Sequence, residues 1–319
     1  MKIIVTGACG FIGSHLAKKL ISKGNKVIGI DDLSKGNMEN IKGISANKNF
    51  TFKKADITKK HSLDFAKSAD VIVHLAAAKI PRYGDRLLTL SVNTKGTENV
   101  LELARECKAK VIFSSTSDVY GKNPKLPFSE ESDLVLGSPE VARWAYAVSK
   151  IFDEHLCFAY WEKYQIPFVI LRLFGVYGPQ QHRSWWGGPQ SLFIDKLLKG
   201  ESVEIHGDGK QTRTFVYIDD VIDAVLKSIN SKKANNQIIN IGTKDEISIL
   251  ELAKLISKLT TKPLKIKNLP YKSFTGKKYE DVKRRIPDIK KAKIKLGWQP
   301  KFSLEDGLKK TIEWQFEDQ

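Results

Sequence analysis

Tyr146 and Lys150 lie four residues apart, a spacing that puts both on one face of a helix. A free phenol has a pKa of about 10, too high for a base at neutral pH. A neighbouring ammonium favours the phenolate and lowers that value. Such a pair can take a proton from a substrate hydroxyl while hydride leaves the carbon that carries it. Upstream, Ser114, Ser115, Thr116, Ser117 and Asp118 close an apolar run, and a hydroxyl such as Thr116 can hydrogen-bond the same substrate oxygen. Tyr-x-x-x-Lys is also common on plain helix surfaces, and Ser/Thr hydroxyls often bond their own backbone. The pair therefore needs a hydride acceptor nearby.

A site for that acceptor is written at the N-terminus. Gly7, Gly10 and Gly13 form G-x-x-G-x-x-G between a β-branched run and an amphipathic stretch opened by Phe11 and Ile12. Glycines there let the backbone turn tightly and approach a pyrophosphate, and the helix start offers free N–H groups. Asp31 follows Gly13 by 18 residues, at the end of the next apolar run. An acid at that point suits a ribose diol and repels a 2′-phosphate, so NAD is preferred over NADP. Asp32 can share the role, or either acid can serve a turn.

The elements that must hold these residues are strands alternating with helices. Strands fit Lys2–Thr6, Lys26–Ile30, Phe50–Ala55, Val71–His74, Lys110–Ser114 and Val169–Leu173. Helices fit Asp85–Cys107 and roughly Ala142–Tyr164. This order predicts an α/β fold, a doubly wound parallel sheet of Rossmann type. Beyond Leu173, glycines and prolines break the pattern, and capping-box spacings at Ser248/Glu251 and Ser303/Asp306 start short helices, as in a smaller α/β lobe.

Composition narrows the field. With 319 residues, 41% hydrophobic and 28% charged, the chain can bury a real core. No apolar run is long enough to span a bilayer, and the N-terminal run leads into a Gly-rich turn instead of a cleavage site. Cys9, Cys107 and Cys157 read as scattered reduced thiols of a cytoplasmic protein. The His residues have no metal-ligand spacing, so no metal is expected. The net charge is +17, and residues 262–301 hold 14 Lys or Arg against three acids. That cluster raises a competing class, a non-enzymatic polyanion binder, but no nucleic-acid module accompanies it.

Taken in order, these motifs resemble the extended short-chain dehydrogenase/reductase family, the NAD-dependent sugar-nucleotide epimerases and dehydratases. TGACGFIGSHL (6–16), Asp56-Ile57, HLAAAK (74–79), VNTKGT (92–97), SSTSDVYG (114–121), YAVSK (146–150), LRLFGVYGP (171–179), GDGKQTRTFVYIDDV (207–221) and LGWQP (296–300) carry the resemblance almost end to end. It implies that Tyr146 is the catalytic base. Lys150 would hold the nicotinamide ribose and tune the tyrosine, and Thr116 would be the hydroxyl partner. Asp56 and Ile57 match adenine-contacting positions. Leu75, Ala76, Ala77, Lys79, Asn93 and Ser114 fall on cofactor-side positions of the family. Arg213 matches a clamp on the substrate diphosphate, and Arg285 falls where relatives place another substrate-binding Arg. Many epimerases carry a substrate-holding Asn where this chain has Gly175. The expected division is a NAD-binding part, 1–173 plus about 214–245, and a nucleotide-sugar lobe, about 174–213 plus 246–319. A homodimer through the helices near 85–107 and 142–164 is implied as well.

The resemblance implies a shared first step, oxidation at sugar C4, and leaves three outcomes. A 4-epimerase of a UDP-sugar is the leading expectation; a UDP-glucuronate decarboxylase and a 4,6-dehydratase are the alternatives. Dehydratases usually carry Asp-Glu where this chain has Ser117-Asp118, which weakens that reading. Decarboxylases usually carry Glu at the position of Asp118; Asp is one methylene shorter, so that reading survives but is not favoured by this position. RWAYAVSK and DVKRRIPD look like decarboxylase segments, with Arg285 as the proton donor. Trp185 and Trp186 are expected either to wall the sugar pocket or to make a packing contact. Most lysines of the basic block (Lys262, Lys265, Lys267, Lys277, Lys278, Lys290, Lys291, Lys293, Lys295) are expected to be a solvated surface.

Overall fold

The structure, a computed structural model, describes residues 1–59, 61–66, 68–79, 85–184, 187–270 and 280–317. Trp185, Trp186, Lys277 and Lys278 lie outside the described residues. The first half runs β1 (Lys2–Thr6), α1 (Phe11–Ser22), β2 (Lys26–Asp31), β3 (Phe50–Lys54), β4 (Val71–His74), α2 (Arg86–Cys107), β5 (Lys110–Thr116) and α3 (Trp144–Tyr164). It continues with β6 (Phe168–Leu173), β7 (Gly175–Tyr177), α4 (Pro189–Leu198), β8 (Val203–His206), β9 (Thr212–Tyr217), α5 (Ile218–Asn230) and β10 (Gln237–Ile241). The remainder is β11 (Glu246–Ser248), α6 (Ile249–Thr260), β12 (Ile266–Leu269), α7 (Lys290–Leu296) and α8 (Leu304–Glu317).

Seven strands form one sheet in the order β10-β6-β5-β4-β1-β2-β3, every pair of neighbours parallel. This is the Rossmann-type sheet that the strand–helix alternation predicts. Side chains alternate across it. Ile3, Val5, Val73 and Ile112 enter one core with Leu16 of α1 and Val221 and Val225 of α5. Ile4, Ile72, Val111 and Phe113 enter the other with Val100, Leu101 and Ala104 of α2 and Cys157 of α3. The strand order reverses at β1 and β4, so the carboxyl ends of β1, β2, β4 and β5 open onto one crevice.

Helix α2 starts one residue later than expected, because the Asp85 carboxylate caps it and accepts from Leu87 and Leu88 N–H at 2.8 and 3.2 Å. Helix α3 is fastened to the sheet by charge. Glu154 accepts from Arg172 of β6 through Nε at 3.0 Å and Nη2 at 2.7 Å, and from the Ser115 hydroxyl of β5 at 2.5 Å. A bidentate pair this buried fixes both the rotation and the height of α3 over the strands.

Outside the seven-stranded sheet lie the three-stranded sheet β11-β9-β7 and the pair β12-β8. The Ser248/Glu251 capping box is complete, and the Ser303 hydroxyl accepts from Asp306 N–H at 3.1 Å. The LGWQP segment is tied to α5: Trp298 Nε1 donates to the Asp220 carbonyl at 2.8 Å, while the Asp220 carboxylate accepts from Lys301 and Phe302 N–H. No described helix is long and apolar enough to cross a membrane.

Candidate active site

The glycine loop makes a bare cradle at the end of β1. Gly7 has φ +71°, and a Cβ on it would lie 2.9 Å from Ala76 N; one on Gly13 would lie 2.0 Å from the Gly7 carbonyl oxygen. Only glycine fits at either place. Gly10 precedes α1, where no side chain caps the helix and no acid occupies the first turn, so the N–H groups at Phe11 and Ile12 remain available to an anion. Asp31 is 8% exposed. Its two oxygens accept from Cys9 and Leu33 N–H, each at 2.9 Å, and each keeps a lone pair for a diol. Burial raises its pKa and these two N–H groups oppose the rise. Asp32 is exposed and bonds its own turn at Ser34, so the structure separates two acids that the sequence left interchangeable. A space no Cβ could share, a free helix start and a carboxylate on the next strand together fit NAD.

Other expected cofactor-side residues line the same edge. Asp56 accepts from Thr58 N–H and hydroxyl, and Ile57 is buried. Leu75 and Ala76 N–H donate to the Thr6 hydroxyl at 3.2 Å each, which holds the segment running on to Ala77. Asn93 accepts from Ala78 N–H at 2.8 Å and donates to the Ser149 hydroxyl at 2.8 Å, joining that loop to α3. The Ser114 hydroxyl donates to the His74 carbonyl at 2.9 Å. Lys79 is exposed, and its charge reaches Asp118.

Tyr146 and Lys150 are both buried on the face of α3 that meets the sheet, 7% and 1% exposed. The Lys150 ammonium lies 4.4 Å from the centroid of the Phe113 ring. Thr116 accepts from Asp118 N–H at 3.2 Å. Its hydroxyl also favours ionisation of Tyr146. The expected lowering of the phenol pKa by Lys150 needs correction. Burial pushes Tyr146 well above the usual tyrosine range, the Asp118 and Asp153 charges add to this, and Thr116 opposes it. Burial also pulls Lys150 below the usual lysine range. A sequence spacing carries no information about desolvation, the larger effect here.

Beside this pair lies a cluster of guanidiniums and carboxylates. One Asp118 oxygen accepts from Arg285 Nη2 at 2.8 Å and from Arg143 Nη2 at 3.2 Å. Arg285 also donates to the Ser117 hydroxyl at 3.2 Å. Asp281 accepts from Arg143 at 3.1 Å and from Arg213 at 2.9 Å. Burial alone would raise the Asp118 pKa; Arg285 and Arg143, with Lys79, overcome it and hold the carboxyl well below the usual range. Gly175 stands apart: it pairs with Phe215 in β9, and a Cβ there would lie 2.8 Å from that ring and from the Thr214 carbonyl. It can offer only backbone, and the sheet leaves no room for the Asn that many epimerases have. Of the basic block, Arg285 reaches Asp118, while Lys262, Lys265, Lys267, Lys290 and Lys293 are exposed. Sequence reasoning missed Arg143, Asp281 and the Glu154–Arg172 anchor. One signal for the anchor was available: Arg172 interrupts an otherwise apolar strand.

A Rossmann sheet with a glycine cradle at its switch point and a Tyr-x-x-x-Lys helix beside it defines the architecture of a dinucleotide-dependent α/β enzyme. The chain belongs to the NAD-dependent epimerase/dehydratase family, which matches residues 3–242, and NAD dependence comes with that membership. A relative, the UDP-N-acetyl-α-D-glucosaminuronate decarboxylase of Bacillus cytotoxicus, is 37% identical over 316 residues, covering 98% of this chain and 97% of the relative. The UDP-glucuronic acid 4-epimerase of Bacillus cereus, solved with UDP-glucuronic acid and NAD, superposes with a TM-score of 0.88 at 34% identity, covering all of both chains. The UDP-N-acetylglucosamine 4-epimerase of Methanobrevibacter ruminantium superposes with a TM-score of 0.90 at 32% identity, covering 100% of this chain and 99% of its own.

Proposed function

We propose that this chain oxidises C4 of a UDP-hexuronic acid and releases CO2 from the resulting β-keto acid. The observation that carries the reading is the Arg285–Asp118 pair at 2.8 Å, with Asp118 two residues from Thr116. It puts a cation and a carboxylate next to the Tyr146 phenol, whose ionisation Asp118 opposes. Epimerising a neutral hexose needs only the hydroxyl and phenol; an acidic sugar gives the added pair a task. The uronate named for the Bacillus cytotoxicus relative points the same way.

In this reading, Gly7, Gly10, Gly13 and the start of α1 hold the pyrophosphate of NAD, and Asp31 holds a ribose diol. Bound NAD supplies the hydride acceptor at C4. Tyr146 takes the C4 hydroxyl proton, and Thr116 holds the same oxygen in line. Lys150 contributes its charge from the next turn of α3. Arg213 meets the diphosphate. The bond from C5 to the carboxylate breaks, its electron pair passes into the C4 carbonyl, and C5 then takes a proton delivered from the Arg285 side; C4 finally takes back the hydride and its oxygen the proton held by Tyr146, which gives the UDP-pentose.

Simple 4-epimerisation remains the second reading, favoured by one observation: Asp118 is committed to two guanidiniums and is not a free base. Product analysis separates the two. Incubation with UDP-glucuronate and UDP-N-acetylglucosaminuronate, followed by NMR, is expected to yield a UDP-pentose and CO2. A 4-epimer that keeps its carboxylate would replace the decarboxylase reading with the epimerase one.

We also propose a homodimer through α2 and α3. Leu87, Leu88, Val148 and Phe152 are 73, 47, 46 and 50% exposed on these helices. Such apolar surface is characteristic of a contact. Sedimentation should give twice the chain mass for the wild type and a monomer for Phe152→Glu; a wild-type monomer removes the proposal.

A further inference from the structure

Asp153 lies one turn beyond Lys150 on the buried face of α3 and is 0% exposed. Neither carboxylate oxygen makes a hydrogen bond of ordinary geometry. A buried acid left so is costly and calls for an explanation. The charges around it are otherwise committed. Glu154 is bound to Arg172 and Ser115. His74 on β4 is driven down to about 3 by burial and the Lys150 charge, and so is neutral; its ring nitrogens meet the Thr6 and Thr97 hydroxyls at 2.7 and 3.1 Å. The Cys157 thiol, one turn further along, is pushed well up by burial and is neutral too. Asp118, beyond Tyr146, is held by two arginines. The Thr97 hydroxyl on α2 favours the ionised Asp153 carboxylate, after Lys150, without a hydrogen bond of ordinary geometry.

We propose that Asp153 is a positioning residue that acts through Lys150: its buried carboxylate, one helical turn away, is the counter-charge that keeps the Lys150 ammonium protonated behind Tyr146. The inference rests on the reading of Tyr146 as the base. Burial raises Asp153 to about 7, against the pull of Lys150 and Thr97. Asp153 is thus ionised on the alkaline side, where burial threatens the Lys150 charge and the Asp153 charge supports it. The same negative charge directly opposes ionisation of Tyr146. Removing it has different consequences in two pH ranges. Near pH 6 Asp153 is already largely protonated, so little changes. On the alkaline side the lysine loses its supporting charge and gives up its proton at a lower pH than in the wild type.

The test is the pH profile of kcat for Asp153→Asn, with wild type and Tyr146→Phe alongside. The expected profile tilts: kcat is unchanged at about pH 6 and falls about tenfold at about pH 9, the effect of displacing the alkaline limb by one unit. KM for the sugar nucleotide stays within about twofold at both. A profile that is unchanged, or lowered equally at every pH, overturns the inference, because a purely structural role acts uniformly. Asp153→Val, which removes the carboxylate without leaving an unpartnered polar atom, must tilt in the same way, so a poorly folding Asn variant does not decide the matter. Full turnover in Tyr146→Phe would instead sink the reading beneath, whereas an inactive Tyr146→Phe with an untilted Asp153→Asn rejects the role of Asp153 alone.

Discussion

Tyr146→Phe is expected to lower turnover by about 10²- to 10⁴-fold, the usual worth of one positioned general base. The change deletes a single oxygen. Nothing in the packing of α3 depends on that oxygen: the helix is held by Glu154, Arg172 and Ser115, and Lys150 keeps its place over Phe113. The variant should therefore fold, and it should bind NAD with wild-type stoichiometry, because the glycine cradle and Asp31 lie on other elements. Turnover of the preferred UDP-sugar, measured beside cofactor content, checks both halves. A loss under tenfold would remove Tyr146 from the proton transfer. Since burial raises this phenol, wild-type turnover should still be climbing with pH above neutrality.

Asp118→Asn is expected to cost about 3–5 kcal/mol of stability, the range for taking one partner out of a buried ion pair. The side chains of Arg143, Arg285 and Asp118 are 5, 13 and 13% exposed, so water can replace little of what is lost. Two guanidiniums would keep their burial and lose the negative charge they share. Urea unfolding at neutral pH measures the loss; a change below about 1 kcal/mol would mean that the arginines find other partners. The sign of the pH dependence follows from the shift. The folded Asp118 pKa is depressed, so its contribution is complete above the ordinary value of 3.8 and fades as pH falls below that toward the folded value. The gap between wild type and variant should therefore narrow on acidification below about pH 4.

Much of the fold was legible because its signals are local. Ile3, Ile4 and Val5 followed by Gly7, Gly10 and Gly13 announce a strand, a tight turn and a helix within a few residues, and Asp31 sits at the one point where a second strand must end. Tyr146 and Lys150 were legible for the same reason, being neighbours on one helix. What stayed hidden depends on partners remote in the chain. Arg143 acquires its role by meeting Asp118 and Asp281, and Glu154 by meeting Arg172. The sign of the Tyr146 shift was hidden too, because it is decided by burial under the fully assembled sheet and helices. Asp153 joins both cases: its place on the helix face could be counted from Lys150, but its lack of a hydrogen bond of ordinary geometry could not.

The oxygen of Asp118 that binds both Arg143 and Arg285 also dates the site within the making of the chain. Arg143 lies 25 residues from Asp118, while Arg285 lies 168 residues from its Ser117 contact. During synthesis the glycine cradle, Asp31, Thr116, Tyr146 and Lys150 all leave the ribosome with more than a hundred residues still to come. The dinucleotide half is thus spelled out first. The guanidinium that completes the buried cluster, Arg285, follows Lys150 by 135 residues, so the surface beside Tyr146 acquires its final charge long after the dinucleotide half has been made.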